Sequence, residues 1–202
     1  HIAAEVSDFD PENYMDRKEA RRADRFSQLA LAAAGEAVAQ AGLIQDEPLG
    51  NRTSSFIASG VGGIITLSEQ FDVLHEKGPK RISPFLIPAM LIDMAAANVS
   101  MKYGARGPSF ATVSACASGA NAIGSGYDLI KRGEIDVALC GGTEAPVCPI
   151  ALAGFNSVGA LSKNNEDPEG ASRPFDAKRD GFIIGEGATV LVIEELGHAL
   201  AR

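Results

Sequence analysis

The sequence predicts an α/β fold with a mainly parallel, mixed sheet and helices on both faces. Three observations carry the expectation. Short apolar, β-branched runs alternate along the chain with longer segments of helical period. One run, IDVALC at 135–140, is apolar at nearly every position, as a strand covered on both faces requires. Glycine turns, such as Gly60-Val61-Gly62-Gly63 and Gly133, separate strand-like runs from helix-like ones.

Residues 1–14 are polar and irregular, and 17–41 reads as one helix. Ala20, Ala23, Phe26, Ala30, Ala33, Ala37 and Ala41 form its apolar stripe, and Gly42-Leu43 closes it. A strand follows at 54–59, then a helix at 64–77 stopped by Gly78-Pro79. Segment 83–88 is apolar but irregular, 89–103 is helical up to Gly104, and 109–115 is a strand introduced by Gly107-Pro108. A helix at 117–132 capped by Gly133, the strand 135–140, a helix at 149–161 and a polar loop at 162–180 come next. The strand 189–194 and a helix starting near His198 complete the chain.

The 202 residues are 46% hydrophobic and 22% charged, ordinary for a globular domain, with a formal net charge of -8. Bulk electrostatics therefore argue against nucleic-acid binding, and no apolar run is long enough to span a bilayer. Cys116, Cys140 and Cys148 are odd in number and lack C-x-x-C spacing. Neither a disulfide framework nor a metal site is expected, and a reducing, cytoplasmic setting fits. The glycines at 60–63 lack the G-x-G-x-x-G spacing and no Walker lysine follows, so a nucleotide site is not expected.

The stretch TVSACASGANAIG, 112–124, places Cys116 where a predicted strand meets a predicted helix. A helix N-terminus favours thiolate over thiol, and the N–H groups of such a turn stabilise a developing oxyanion. Ala115, Ala117, Ser118, Gly119 and Ala120 around it are small, as a helix crossed closely by another element requires. Residue physics leaves two readings open: a small core hydrophobe, or a nucleophile on a strand–turn–helix elbow. None of His1, His75 and His198 is a convincing base for it, which disfavours a self-contained Cys–His hydrolase. Arg17, Lys18, Arg21, Arg22 and Arg25 cluster at a helix start, where the dipole does not favour cations. They form either a solvated face partly paired with Asp16, Glu19 and Asp24, or a docking patch for an acidic partner.

In order along the chain, YMDRKEARRADRF, ASGVGG, RISPFLIP, SACASGANAIG, KRGEIDVALCGGTEA, SRPFDAKRDGF and GEGATVLVIEEL resemble the β-ketoacyl-acyl carrier protein synthases, and among them the type II enzymes of bacterial and plastid fatty-acid synthesis. The ACASG context is similar to elongating synthases rather than modular polyketide synthases, although a polyketide ketosynthase or a non-catalytic interaction fragment of the same fold stays an alternative. The resemblance implies the N-terminal half of a thiolase-like fold, without cofactor or metal, in which Cys116 accepts an acyl chain from acyl carrier protein and condenses it with malonyl-carrier protein as CO2 is lost. It implies an acyl-binding role for Gly60, Val61, Ala115 and Phe155, with Leu86 and Leu91 where a homodimer interface meets the pocket and 109–115 near its two-fold axis. Valine at 61 would leave room for longer chains. Lys18, Arg21, Arg22, Lys80 and Arg81 match carrier-docking positions.

By the same resemblance, the chain is one N-terminal synthase domain, 1–202, that begins after the half's first strand and ends after its last. That first strand is expected at the centre of the sheet, so its loss would leave interior backbone groups unpaired. The family's catalytic histidines, lysine and glycine-rich loop fall outside the chain. The 202-residue chain is therefore expected to form no ketoacyl product by itself, which a product assay on the purified chain checks.

Overall fold

The computed structural model describes residues 2–43 and 47–202. In chain order the elements are β1 (Ala3–Ala4), α1 (Arg17–Ala20), α2 (Arg25–Gln40), β2 (Thr53–Ala58), α3 (Ile64–Lys77), α4 (Leu86–Met90), α5 (Met94–Tyr103), α6 (Ser118–Lys131), β3 (Val137–Glu144), α7 (Pro149–Ser157), α8 (Pro168–Ala171), β4 (Ile184–Gly185), β5 (Gly187–Glu194) and α9 (Leu196–Ala201). Three-residue 3-10 turns stand at Pro11–Asn13, Pro79–Arg81 and Ala115–Ala117.

The main sheet runs β2-β3-β5. β2 and β3 are parallel from Thr53↔Val137 to Ala58↔Gly142, and β5 returns antiparallel to β3 from Val137↔Glu194 to Glu144↔Gly187. A two-residue parallel pair, β1 with β4, lies apart from it. Alternation along the strands sorts two cores. Ile57, Leu139 and Val190 pack with Phe26, Leu29, Ala30, Ala34 and Val38 of α2 and Ala95, Ala96 and Val99 of α5. Phe56, Ala58, Ala138 and Cys140 face the other way, against Ala122 and Leu129 of α6. Helices thus cover both faces, as the apolar IDVALC run requires.

Helix ends follow the sequence signals. Gly42 and Gly133 take φ of +67° and +70°. Each closes a Schellman motif: Leu43 N–H reaches Val38 O at 3.2 Å after α2, and Glu134 N–H reaches Leu129 O at 3.0 Å after α6.

Four expectations are corrected. The helix at 17–41 is two helices, because Asp24 leaves helical geometry to cap α2. Its buried carboxylate accepts from Phe26 N–H at 3.2 Å and from Thr66 N–H, at the start of α3, at 2.8 Å. The helix expected at 89–103 begins only at Met94, since Leu91 is extended (ψ 133°) after α4, which itself takes up part of the irregular 83–88 segment. The strand at 109–115 reduces to one bridge, Ser55↔Ser109. Beyond it the backbone leaves the sheet, and Ser114 N–H bonds to the Ser118 hydroxyl instead of a strand partner. Finally, β2, β3 and β5 are contiguous, so the expected gap at the sheet centre is absent; any further strand would join at an edge.

One ion pair ties the periphery together. The Arg25 guanidinium meets both carboxylate oxygens of Glu186 at 2.7–3.0 Å and donates to Val6 O at 2.8 Å, while Val6 N–H donates to Glu186 at 2.9 Å. The Glu186 side chain is 2% exposed. Burial alone would push this carboxyl up, but the Arg25 and Val6 hydrogen bonds and the nearby positive charge together hold it below the usual carboxylate value. Its contribution is therefore complete above the unfolded carboxylate pKa of about 4.3 and is lost as pH falls through the depressed folded value. Glu186→Gln should cost about 2 kcal/mol at neutral pH, discounting for the partly exposed arginine, and progressively less on acidification. Denaturant unfolding of both proteins between pH 7 and pH 3 (about the carboxylate range) checks this.

Candidate active site

Cys116 sits on an elbow built from its neighbours. Ala115 has φ +51°, one of two non-glycine residues with positive φ among the described residues. Such a conformation costs on the order of 1 kcal/mol and persists only where surrounding contacts over-determine it. Ser118, on the first turn of α6, supplies them. Its hydroxyl donates to Ala115 O at 2.7 Å and accepts from Ser114 N–H at 2.9 Å. Thr112 Oγ1 donates to Ser118 O at 3.0 Å, and Asn121 Nδ2 donates to Ser114 Oγ at 2.6 Å. Cys116 is exposed, in the 3-10 turn that runs directly into the 14-residue α6.

The elbow is brought to the sheet by an approach that leaves no room for side chains. A Cβ on Gly119 would lie 3.3 Å from Gly142 Cα, so α6 rests on β3 backbone to backbone. Cys116 therefore opens onto a cleft of about 710 Å³ at the C-terminal ends of β2 and β3, with largely apolar walls. Four of the expected residues, Gly60, Val61, Ala115 and Phe155, line it together with Cys116. Leu86, on α4, and Leu91, just beyond it and 44% exposed, lie outside that lining.

Other expected features separate cleanly from the cleft. Cys140 is fully buried in β3, its thiol pushed up to about 12 by desolvation, and Cys148 is buried at the start of α7; both fit packing roles. His75 is exposed on α3, and His198 Nδ1 lies 2.8 Å from Glu194, so neither lines the cleft. The sequence reading missed Ser59, Ser118, Glu144 and Phe182. Phe182 meets Phe155 edge-on with ring centroids 5.3 Å apart, closing the cleft from the loop before β4. Ser118, two residues from Cys116, reads in sequence only as one more small residue, and no local period marks Ser59, Glu144 and Phe182, which the fold brings to the cleft.

The basic cluster forms a second feature. Arg17, Lys18, Arg21 and Arg22 line a depression of about 450 Å³ with Ser83 and Phe85, and the Arg22 guanidinium lies 4.4 Å above the Phe85 ring. Lys80 and Arg81 occupy the 3-10 turn just before Ser83. The neighbouring acids have other work: Asp16 and Glu19 form the capping box of α1, and Asp24 caps α2. Among the described residues, Lys18, Arg21, Arg22, Lys80 and Arg81 enter no ion pair. Arg25 does not join them, being committed to Glu186.

A mixed sheet between helices, with a cysteine on a strained turn at the head of a helix packed against that sheet, defines one half of a thiolase-like ketosynthase fold. Residues 1–199 match the family model described as beta-ketoacyl synthase, N-terminal domain, and the chain belongs to that family. It is 48% identical over 202 residues to 3-oxoacyl-[acyl-carrier-protein] synthase 2 of Staphylococcus aureus, covering all of this chain and 50% of the relative. It is 47% identical to the enzyme of that name from Synechocystis sp., covering 48% of it. The chain thus spans about half the length of the curated relatives it matches. Among solved structures, a beta-ketoacyl synthase from Burkholderia phymatum superposes with a TM-score of 0.89 at 36% identity, over 99% of this chain and 49% of that one. A type II PKS ketosynthase in complex with its acyl-carrier protein superposes with a TM-score of 0.79 at 27% identity, over 98% of this chain and 55% of that one.

Ser118→Ala should release the Ala115 turn. The expected result is a loss of about 2 kcal/mol in unfolding free energy, since Ser114 N–H and Ala115 O each lose a partner. Denaturant titration measures this, and alkylation of Cys116 by iodoacetamide, followed by mass, should change in rate.

Proposed function

We propose that this chain supplies the acyl-accepting half of a 3-oxoacyl-[acyl-carrier-protein] synthase of fatty-acid elongation. The observation that carries the reading is Cys116, exposed on its held turn and facing a largely apolar cleft of about 710 Å³. The cysteine sulfur attacks the thioester of an acyl-carrier protein, an S–C bond forms, and the carrier thiol leaves. Malonyl-carrier protein then loses CO2, and its carbanion attacks the Cys116 thioester, releasing the cysteine and the 3-oxoacyl-carrier product. Similarity at 48% to relatives named 3-oxoacyl-[acyl-carrier-protein] synthase 2 supports fatty-acid elongation over a polyketide pathway, for which the similar type II PKS ketosynthase stands at 27%.

The unpaired cations Lys18, Arg21, Arg22, Lys80 and Arg81 are the proposed landing surface for the acidic carrier protein. A second copy of the chain is the proposed neighbour of 109–115, where Phe110 and Val113 are 42% and 58% exposed. The setting proposed for the free thiols is a reducing compartment such as the cytoplasm.

The test uses the full-length protein that contains these residues. Incubation with acyl-carrier protein should add one acyl mass to the peptide holding Cys116, and Cys116→Ala should abolish it. Reversing Arg21 and Arg22 to Glu should raise KM for the carrier-linked substrate at least tenfold, about 1.4 kcal/mol, while leaving a small acyl thioester nearly unaffected. No adduct on Cys116 would overturn the function; equal effects on both substrates would overturn the docking surface.

A further inference from the structure

The ladder between β2 and β3 ends at Ala58↔Gly142. One side chain continues it. Glu144, the last residue of β3, accepts from the Ser59 hydroxyl at 2.7 Å and from Gly60 N–H at 2.6 Å, and lies 3.3 Å from Val61 N–H. Ser59 Oγ in turn accepts from Gly62 N–H at 2.9 Å. The whole turn from Ser59 to Gly62 is thus folded onto one carboxylate, directly or through Ser59. These donors occupy both oxygens, which marks the group as a clamp and not as a base for Cys116. Gly60 is wedged between two parts of the site: a Cβ there would lie 2.9 Å from Glu144 Oε2 and 3.5 Å from Ala115 O. Val61, 39% exposed, is carried by the same clamped turn and lines the cleft that Phe155 and Phe182 also line.

We infer that Glu144 is a positioning residue for acyl-chain selection: by holding Gly60 and Val61 against the Cys116 elbow it fixes the cleft wall that a long acyl chain must pass. The inference rests on the acyl-transfer reading above. A wall held by a single carboxylate discriminates sharply between chain lengths only while that carboxylate is in place. Without it, Ser59 O–H, Gly60 N–H and Val61 N–H lose their acceptor, and the turn takes several positions of similar energy. Selection by chain length should then flatten, while the elbow, held by Ser118, stays formed.

The experiment is single-turnover acylation of Cys116 in the full-length protein, using carrier proteins loaded with a series of saturated chains from short to long and read by intact mass. Wild type gives a ratio of rates between its best and worst chain lengths. In Glu144→Ala that ratio should fall at least fivefold, roughly the loss of one hydrogen bond of ordinary strength. Alkylation of Cys116 by iodoacetamide should stay within about twofold of wild type, since the hydrogen bonds that hold the elbow come from Thr112, Ser118 and Asn121 and not from Glu144. Glu144→Gln, which keeps one acceptor oxygen, should fall between the two and carries the test if the alanine variant does not fold. An unchanged ratio overturns the inference, as does an equal loss at all chain lengths. If wild type itself acquires no acyl mass at Cys116, it is the acyl-transfer reading that fails.

Discussion

The backbone contact between Gly119 of α6 and Gly142 of β3 is the constraint on which the site depends. A helix normally packs on a sheet through interdigitating side chains that keep the two backbones apart. At this crossing there are none, so the first turn of α6 descends to the level of the strand ends. Cys116, two residues before the helix, is thereby delivered to the mouth of the cleft. The small residues around it follow from the same approach. The strained φ of Ala115 reverses the chain sharply enough to enter a helix so close to the sheet, and the Ser118 hydroxyl keeps it there by bonding on both sides of the turn.

Charge is divided as economically as space. Asp16, Glu19 and Asp24 sit among five cations in sequence and read there as their ion-pair partners. In the structure all three accept from helix N-termini, where the backbone needs acceptors and the dipole favours anions. That leaves Lys18, Arg21 and Arg22 without ion-pair partners among the described residues, beside Ser83 and Phe85, which follow the turn holding Lys80 and Arg81. Arg25, the fifth cation, is turned inward to Glu186, where it secures the start of α2 against the β4–β5 junction. A local concentration of unpaired cations on a protein with a formal net charge of -8 is a feature that bulk charge hides.

The sequence made legible what is periodic or local. Helix α3 matches its expected span residue for residue, because both ends are marked by glycine, and the two Schellman closures follow from Gly42 and Gly133. Cys116 was legible as an open choice from its neighbours, and the motif set made it specific. What escaped is decided by side-chain hydrogen bonds over long separations or by competition between acceptors. Asp24 breaks a helix that the alanine stripe alone would continue, since Thr66, far along the chain, needs its second oxygen. The apolar look of 109–115 suggested a strand, but only Ser109 finds a partner in the sheet; apolar alternation reports a covered face without saying what covers it. The order of the sheet was likewise unreadable, because strand adjacency is set by crossovers and not by local composition.

Under the proposed function, the arrangement separates two demands that a thioester-forming site would place on a protein. Accepting an acyl group would require a presented sulfur and an apolar cleft, and an exposed Cys116 and a largely apolar cleft meet at the head of α6, the end of β3 and the Gly60 turn. Generating and steering a carbanion requires groups free to donate or take protons. Among the described residues the cleft offers one ionisable carboxylate, Glu144, and its oxygens are already taken by Ser59 and the Gly60 backbone. No described histidine reaches the cleft. The polar groups here are therefore spent on geometry: Ser118 on the angle of the elbow, Glu144 on the position of the wall. Under the proposed function, substitutions at these two positions should be felt as changes in where the sulfur and an acyl chain would lie.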